Sequence, residues 1–176
     1  MAMDHAYIGI GSNLGDPREQ VLAAIDELGA IPRCRLVKRS ALYASAPMGP
    51  KDQPDYVNAV VLVETFFEPT ELLGRLQAIE RRYGRVRDSL RWGPRTLDLD
   101  LLVFGEIRLD TPELVLPHPG AHERCFVLCP LADLGKETRI PGHGTVGEML
   151  AHCDCRGVVR LEADVRDRPQ SCPRSG

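Results

Sequence analysis

The chain has 176 residues, of which 43% are hydrophobic and 27% are charged, and this suits one domain with a buried core. Its formal net charge of -3 excludes attachment to nucleic acids or membranes by bulk electrostatic attraction, and no apolar run is long enough to cross a bilayer. No secretory signal is visible in residues 1–10, so we expect a cytoplasmic protein. Residues 1–163 are predicted to form the single domain. Residues 164–176 are charged and lack an apolar period, which predicts a disordered tail.

The spacing of apolar residues and the positions of glycine and proline predict alternating strands and helices. In chain order these are a short strand from Tyr7 that ends in a glycine-rich turn before Asn13, a helix at 17–28, strands at 35–43 and 56–65, a helix at 69–83 and a strand at 96–104. A hairpin that turns near Gly105 and ends near Leu116, helices at 123–134 and 145–152, and a strand at 157–163 follow. This order predicts an α+β, ferredoxin-like βαββαβ core, an antiparallel sheet flanked by helices, with C-terminal additions.

The six cysteines are predicted to be reduced, partly buried thiols, because no CxxC pair is present and the expected compartment is reducing. An alternative is a metal site formed by His152, Cys153 and Cys155. The second ligand pair of a zinc finger is missing at the usual spacing, so we do not favour this alternative.

The strongest chemical signal is a pair of aspartates in a predicted strand. Asp98 and Asp100 are two residues apart, so both side chains project from the same face, and Leu97, Leu99 and Leu101 project into the core. Two neighbouring carboxylates repel each other and lose hydration, which is costly unless a cation compensates. Magnesium prefers such oxygen ligands. The alternative is an exposed strand face with two solvated acids.

Arginines precede this strand in unusual number: seven stand between residues 75 and 95, against two acids. Arginine keeps its charge and holds phosphate oxygens in a two-pronged way, so arginines opposite magnesium-binding aspartates indicate a triphosphate site. We assign Arg85, Arg87 and Arg95 to phosphate binding and the arginines of the preceding helix to a solvated face. No P-loop or protein-kinase motif is present.

Four blocks of the sequence resemble the 6-hydroxymethyl-7,8-dihydropterin pyrophosphokinase family of folate biosynthesis. They are YIGIGSNLG at 7–15, GPKDQPDYVN at 49–58, RWGPRTLDLD at 91–100, and PHP at 117–119 together with RxFVL at 124–128. The third block is the most specific, and the resemblance spans about Tyr7 to Leu134. The fold of the family is ferredoxin-like, which agrees with the order of the predicted elements.

The resemblance implies a reaction in which pyrophosphate passes from ATP to the hydroxymethyl group of 6-hydroxymethyl-7,8-dihydropterin and AMP leaves. Asp98 and Asp100 would bind two Mg²⁺ ions that bridge neighbouring phosphates of ATP. Arg85 and Arg95 match the catalytic-loop arginines of the family, which neutralise charge during the transfer.

The resemblance also assigns residues to the two substrates. The pterin would be contacted by Asn13, Ser45, Ala46, Met48, Tyr56, Asn58 and Phe126. ATP would be contacted by Gln77, Arg87, Trp92, Leu101, His118 and Arg124. Stacking on both faces suits a flat bicyclic ring, so Tyr56 and Phe126 would enclose the pterin, and the alternative is that both are core aromatics. Some relatives have arginine in place of Glu113 and tyrosine in place of Pro119, so we assign no ATP contact to either residue.

Two other functions compete with this interpretation. A nucleotidyl transferase or cyclase with a ferredoxin-like palm would also place paired aspartates on a strand, but it would not need two aromatics around a flat heterocycle. An RNA-binding module on a similar sheet would need exposed aromatics and a basic total charge. We therefore expect only small-molecule partners, no nucleic acid or membrane, and a monomer.

Overall fold

The structure, a computed structural model, describes residues 2–47, 52–84 and 97–162. Its helices are α1 (Pro17–Gly29), α2 (Pro69–Arg82), α3 (Cys125–Leu134) and α4 (Val146–Ala151). Its strands are β1 (Asp4–Ser12), β2 (Cys34–Arg39), β3 (Tyr43–Ser45), β4 (Tyr56–Thr65), β5 (Asp98–Phe104), β6 (Leu109–Asp110), β7 (Val115–Leu116), β8 (Arg139–Ile140), β9 (Gly144–Thr145) and β10 (Val158–Arg160). No helix within these ranges has the length and apolar character needed to span a bilayer. The predicted disordered tail lies outside the described residues.

One antiparallel sheet forms the centre of the molecule. Its order is β5, β1 and β4, followed by β2 and β3, which both pair with β4, and β10 extends the sheet beyond β3. This is the order of a ferredoxin-like βαββαβ sheet in which β2 and β3 together take the place of one strand. The predicted α+β fold is therefore confirmed.

Short sequence signals set the ends of the first two helices. Asp16 caps α1, because its Oδ1 accepts a 3.2 Å hydrogen bond from the backbone N–H of Glu19. Pro17 then occupies the first turn, where the N–H that proline lacks would have no helical partner. α2 likewise begins at Pro69, and the chain leaves this helix at Gly84, whose φ of 75° is left-handed. Both starts agree with the sequence-based predictions.

Apolar side chains pack on both faces of the sheet. α1 and α2 cover one face and α3 and α4 cover the other, so successive residues of β4 alternate between two cores. Ala59, Val61 and Val63 lie beneath α1 and α2, whereas Val60 and Leu62 lie beneath α3. Fully burying one aliphatic side chain contributes about 1.5–3 kcal/mol, so both layers hold the sheet in place.

The predicted strand at 35–43 is interrupted. Ser40 donates its backbone N–H to the carbonyl of Val60 at 2.9 Å, and its Oγ accepts the N–H of the same residue at 2.9 Å. The hydroxyl of Ser40 thus takes the place of a backbone carbonyl as the acceptor for the N–H of Val60. The predicted strand is therefore divided into β2 and β3. The residues after the turn at Gly105 pair as β6 with β7 in a small sheet of their own, rather than folding back onto β5.

The expectation that all six cysteines are free thiols is wrong for two of them. Cys125 at the start of α3 and Cys153 after α4 form a disulfide, with their Cα atoms 6.1 Å apart. These residues are 28 positions apart in the sequence and come together because α4 packs against α3. Cys34, Cys129 and Cys155 are free thiols.

Candidate active site

A pocket opens on the face of the sheet that α3 covers. It encloses about 680 Å³, counting space open to solvent. The residues that line it come from β1, β3, β4, β5 and the start of α3: Gly9, Ile10, Gly11, Ser45, Ala46, Tyr56, Asn58, Ala59, Val60, Asp98, Asp100, Leu102, Arg124, Phe126 and Val127. A few polar and charged groups thus converge in a largely apolar concavity, which is the usual form of a small-molecule site.

Both strand aspartates face this pocket and are half-buried. In the register of the sheet, Asp98 lies opposite Gly11 and Asp100 lies opposite Gly9. Leu99, between the two aspartates, is 3% exposed and belongs to the core on the other face. The alternation predicted for this strand is confirmed, and the two carboxylates share a pocket rather than an open solvated surface.

Two glycines, Gly9 and Gly11, form the floor of the pocket, and the strand runs to Ser12, further than the glycine-rich turn predicted before Asn13. β1 continues through both, and Gly11 lies between Asn58 on β4 and Asp98 on β5. A Cβ atom added to Gly11 would lie 3.4 Å from Oδ1 of Asn58 and 3.6 Å from Cδ1 of Tyr56, so a larger side chain would fill the pocket. A strand with glycine at alternate positions, here Gly9 and Gly11, is the sequence signal for a sheet face that must stay clear.

A buried carboxylate supports the strand that carries the aspartates. Glu80 on α2 is 4% exposed, and its Oε2 accepts a 3.0 Å hydrogen bond from the backbone N–H of Leu99. Because β5 ends the described sheet, its outward N–H groups need partners from outside the sheet. Glu80 is therefore a buried support of β5 rather than a solvated surface acid.

Hydrogen bonds fix the amide side chains near the other end of the pocket. Nδ2 of Asn58 donates to Oγ of Ser45 on the neighbouring strand at 2.7 Å. Nδ2 of Asn13 donates to Oε1 of Gln53 and to the carbonyl of Pro54, both at 3.0 Å. Asn13 is only 1% exposed, so its described role is to hold the segment before β4 against the end of β1.

The start of α3 forms the wall opposite the sheet. The guanidinium carbon of Arg124 lies 5.9 Å from the ring centre of Phe126, within the range of a cation–π interaction. Tyr56 enters the same pocket from β4. Both aromatic side chains are half-buried rather than enclosed in a core. An aromatic ring from the helix and another from the sheet thus line one space, and this suits a flat ligand.

Two hydrogen bonds hold His118 beside β5. Its backbone N–H donates to the carbonyl of Leu102 at 2.8 Å, and its Nδ1 accepts the N–H of Gly120 at 3.1 Å. Burial lowers the pKa of His118, the positive charge of Arg124 lowers it further, and Asp98 acts in the opposite direction. The imidazole is therefore neutral at pH 7 and carries its proton on Nε2.

The other residues predicted from the sequence fall into two groups. Gln77 is half-buried on α2 and Leu101 is 3% exposed in the core beneath α1 and α2, so neither is among the described lining residues. The predicted site residues that lie outside the described part of the chain are Met48, Arg85, Arg87, Trp92 and Arg95.

Residues 7–136 match the family model described as 7,8-dihydro-6-hydroxymethylpterin-pyrophosphokinase, or HPPK. The chain belongs to this family. The HPPK match includes every described residue that lines the pocket, so the site lies within the part of the chain that defines the family.

Individual relatives agree with the HPPK match. A Pseudomonas aeruginosa protein named 2-amino-4-hydroxy-6-hydroxymethyldihydropteridine pyrophosphokinase is 52% identical over 159 residues, which cover 90% of this chain and 98% of the relative. A Haemophilus influenzae protein of the same name is 44% identical over 156 residues, with coverage of 89% and 97%.

Among solved structures, wild-type HPPK-DHPS from Plasmodium falciparum aligns with 85% of this chain at a TM-score of 0.65. The sequence identity is 15%, and this chain spans 41% of that longer chain, so the likeness supports the fold alone.

Proposed function

We propose that this pocket transfers the pyrophosphoryl group of ATP to the hydroxymethyl group of 6-hydroxymethyl-7,8-dihydropterin, with release of AMP, as a step of folate biosynthesis. One observation carries the proposal: a half-buried aspartate pair and two aromatic side chains converge on the same pocket. The aspartates suit a triphosphate with its cations, and the aromatic rings suit a flat heterocycle. Membership in the HPPK family and the names of the relatives support the same reaction.

Magnesium fits the chemistry of the aspartate pair. Asp98 and Asp100 offer hard oxygen donors on one face of the sheet, and the glycines opposite them leave space beside the carboxylates. Mutual repulsion between the two carboxylates is offset when cations bind. We assign both residues to two Mg²⁺ ions, which when bound neutralise charge along the phosphate chain and orient it.

The amide-lined part of the pocket is assigned to the pterin. Tyr56 and Phe126 stack on its two faces, and Asn58 recognises its edge. Ser45 accepts the Nδ2 proton of Asn58, and this bond turns Oδ1 towards Gly11, where it can accept from the N–H groups of a pterin. The bond thus selects which end of the amide faces the ligand.

Three further residues complete the pterin assignment. Ala46 lines the pocket with a side chain too small to compete with a ring for space. Asn13 acts indirectly, through its hydrogen bonds to the segment before β4. Met48 is assigned from the resemblance in sequence.

The phosphate end of the pocket is assigned to basic groups around the aspartates. Arg124 lines the pocket and is oriented by its contact with Phe126, so we assign it to a phosphate oxygen. Neutral His118 offers its Nε2 proton to the nucleotide. The assignments that rest on the sequence are Arg85 and Arg95 as catalytic residues and Gln77, Arg87, Trp92 and Leu101 as ATP contacts, with Leu101 acting through its backbone.

Neither competing function explains the whole pocket. A nucleotidyl transferase would use the aspartates, but it gives no reason for Tyr56, Asn58 and Phe126 to converge beside them. An RNA-binding module is disfavoured because the sheet face carries acids and the net charge is -3.

The direct test incubates the purified chain with ATP and Mg²⁺, with and without hydroxymethyl-dihydropterin, and separates the products by chromatography. We expect AMP and pterin pyrophosphate in equal amounts, and only when both Mg²⁺ and the pterin are present. Release of free pyrophosphate with transfer of the nucleotide would favour the nucleotidyl transferase. A lack of AMP under all conditions would overturn the proposal.

A further inference from the structure

Four cysteines lie together where the start of α3 meets the segment after α4. The sulfur atoms of Cys125, Cys153 and Cys155 all lie within 4.8 Å of one another, and each residue is half-buried. Cys129, one helical turn after Cys125, is near Cys155, and burial together with the Cys155 thiol raises the pKa of Cys129. Cys125 and Cys153 form the disulfide, and the free thiol of Cys155 lies beside that bond.

We propose that this thiol cluster, once reduced, binds one Zn²⁺ through Cys125, Cys153 and Cys155, with Cys129 as the fourth ligand. Zinc in structural sites is tetrahedral with Zn–S bonds of about 2.3 Å, which places neighbouring sulfurs roughly 3.8 Å apart. The sulfurs of Cys125, Cys153 and Cys155 already lie within 4.8 Å of one another, and the side chain of Cys129 would rotate towards them to complete that geometry.

The spacing of the cysteines supports a metal site that the sequence alone did not reveal. From the sequence, a metal site at His152, Cys153 and Cys155 was an alternative that we did not favour, because a second ligand pair was missing at the usual spacing. The fold supplies that pair from α3, where Cys125 and Cys129 are four residues apart and therefore share one helical face. Structural zinc sites are commonly built from two short ligand pairs on separate segments; the pair on α3 has three intervening residues, within the usual range, and the pair at Cys153 and Cys155 has one.

The cysteine cluster and the aspartate pair differ in the metal ion that their ligand atoms prefer. Reduction of the disulfide by a thiol or phosphine reductant adds two electrons and two protons and yields two thiols, which join the free thiols of Cys129 and Cys155. Each thiol that ligates zinc then releases its proton to solvent. Thiolate sulfur is a soft ligand that selects zinc, whereas carboxylate oxygen suits magnesium, so the two sites do not compete for the same ion.

The cysteine cluster lies where a bound metal ion would hold the wall of the pocket. Cys125 stands in the chain between Arg124 and Phe126, both of which line the pocket. Cys155 leads into β10, which pairs with β3. A bound zinc ion would therefore fix the start of α3 against the edge of the sheet and hold the pocket wall in place. These cysteines are positioning residues, and zinc binding does not depend on the reaction proposed above.

The test uses the full chain, reduced with a phosphine, stripped of metal with a chelator and then desalted without oxygen. Zinc is added in excess, unbound metal is removed, and bound zinc is measured by elemental mass spectrometry. We expect one zinc per chain and a melting temperature several degrees above that of the metal-free chain. Cobalt added instead of zinc should give the absorption bands of tetrahedral thiolate coordination, which reports the ligands without any substitution.

Substitutions identify the ligands. Cys155→Ser and Cys129→Ser should each weaken zinc binding by about 100-fold or more, with the metal-free melting temperature unchanged. Cys34→Ser is the matched control, because this thiol lies on β2 and donates to Oγ1 of Thr65 at 3.2 Å, and it should retain one zinc. Cys172→Ser, outside the described residues, should also retain it.

Three results would overturn the proposal: a reduced chain that binds no zinc, a cobalt complex without thiolate bands, or zinc affinity unchanged in both ligand variants. Normal AMP formation by a chain that binds no zinc would leave the proposed reaction intact, so the two failures are distinguishable.

Discussion

The Glu80 carboxylate accepts a 3.0 Å hydrogen bond from the backbone N–H of Leu99, the residue between Asp98 and Asp100. This bond joins α2 to the strand that presents both aspartates. Because this acceptor is only 4% exposed, the bond holds β5 in position against α2 beneath the pocket.

Replacing Glu80 should therefore affect stability and turnover together. Glu80→Ala leaves a buried N–H without this acceptor, which costs about 1–3 kcal/mol of unfolding free energy, and kcat should fall because the aspartates lose their support. Glu80→Gln keeps an oxygen acceptor and should be less damaging. Urea denaturation and initial rates measure the two effects, with exposed Glu71→Ala on the same helix as the control. Equal stability of the two alanine variants would contradict this role.

The aspartates should be needed for turnover but not for folding. Asp98→Asn and Asp100→Asn each remove a negative charge from the proposed magnesium site, so kcat should fall by about 100-fold or more. The unfolding free energy should stay equal or rise, because carboxylate repulsion is relieved. AMP formation and urea denaturation are the measurements, and Asp110→Asn, at an exposed position of β6, is the control. Full activity in both site variants would refute the metal assignment.

Side chains at residue 11 should reduce pterin binding in order of size. Gly11→Ala adds a carbon 3.4 Å from Oδ1 of Asn58, and Gly11→Val fills more of the space beside Tyr56. The KM for the pterin should rise by about tenfold in Gly11→Ala and by more in Gly11→Val. A tenfold rise corresponds to a loss of roughly 1.4 kcal/mol of binding free energy. Steady-state kinetics measure this, with the KM for ATP as an internal comparison.

Gly74→Ala is the matched glycine control. No atom lies within 4 Å of an added Cβ at this exposed helical position, so the substitution should stabilise the protein by about 0.5–1 kcal/mol without changing either KM. A pterin KM that is unchanged in Gly11→Val would show that the floor of the pocket is not where the ring binds.

The bond between Tyr43 and Asp133 should make stability depend on high pH. The phenol donates to Oδ1 of Asp133 at 2.9 Å, and burial followed by this carboxylate raises the pKa of Tyr43. Tyr43→Phe should cost about 1.5–3 kcal/mol at pH 8. Above pH 10 the unfolded phenol loses its proton while the folded one keeps it, so this contribution falls by up to about 1.4 kcal/mol per pH unit.

Urea denaturation of the wild type and of Tyr43→Phe at several pH values from 8 to 11 measures this change. The difference in unfolding free energy between the two proteins should narrow above pH 10. A difference that stays constant across the range would mean that the phenol of Tyr43 titrates alike in both states.

Arg95→Ala tests the proposed catalytic role of Arg95, a residue outside the described part of the chain. If this guanidinium neutralises charge that develops during transfer, kcat should fall far more than ATP affinity. Rapid-quench measurement of AMP and equilibrium binding of a non-hydrolysable ATP analogue separate the two quantities. An effect confined to ATP affinity would contradict the catalytic assignment.

Local patterns in the sequence determined much of this protein. Alternation of aspartate and leucine placed two carboxylates on one face, because side chains in a strand alternate whatever lies beside it. Proline at the first turn of α1 and α2 fixed where each helix begins, because the missing N–H has no helical partner there. The motif at 91–100 identified the family before the fold was known.

Only the tertiary structure decided which distant residues meet. Gly11 became the floor of the pocket because β1 lies between β4 and β5, and Glu80 became buried because α2 packs behind β5. Cys125 met Cys153 because α4 packs on α3. These contacts join residues far apart in the sequence, and they form only because two apolar faces of one sheet are buried at once. A local sequence pattern does not indicate which distant residue such packing will bring into contact with it.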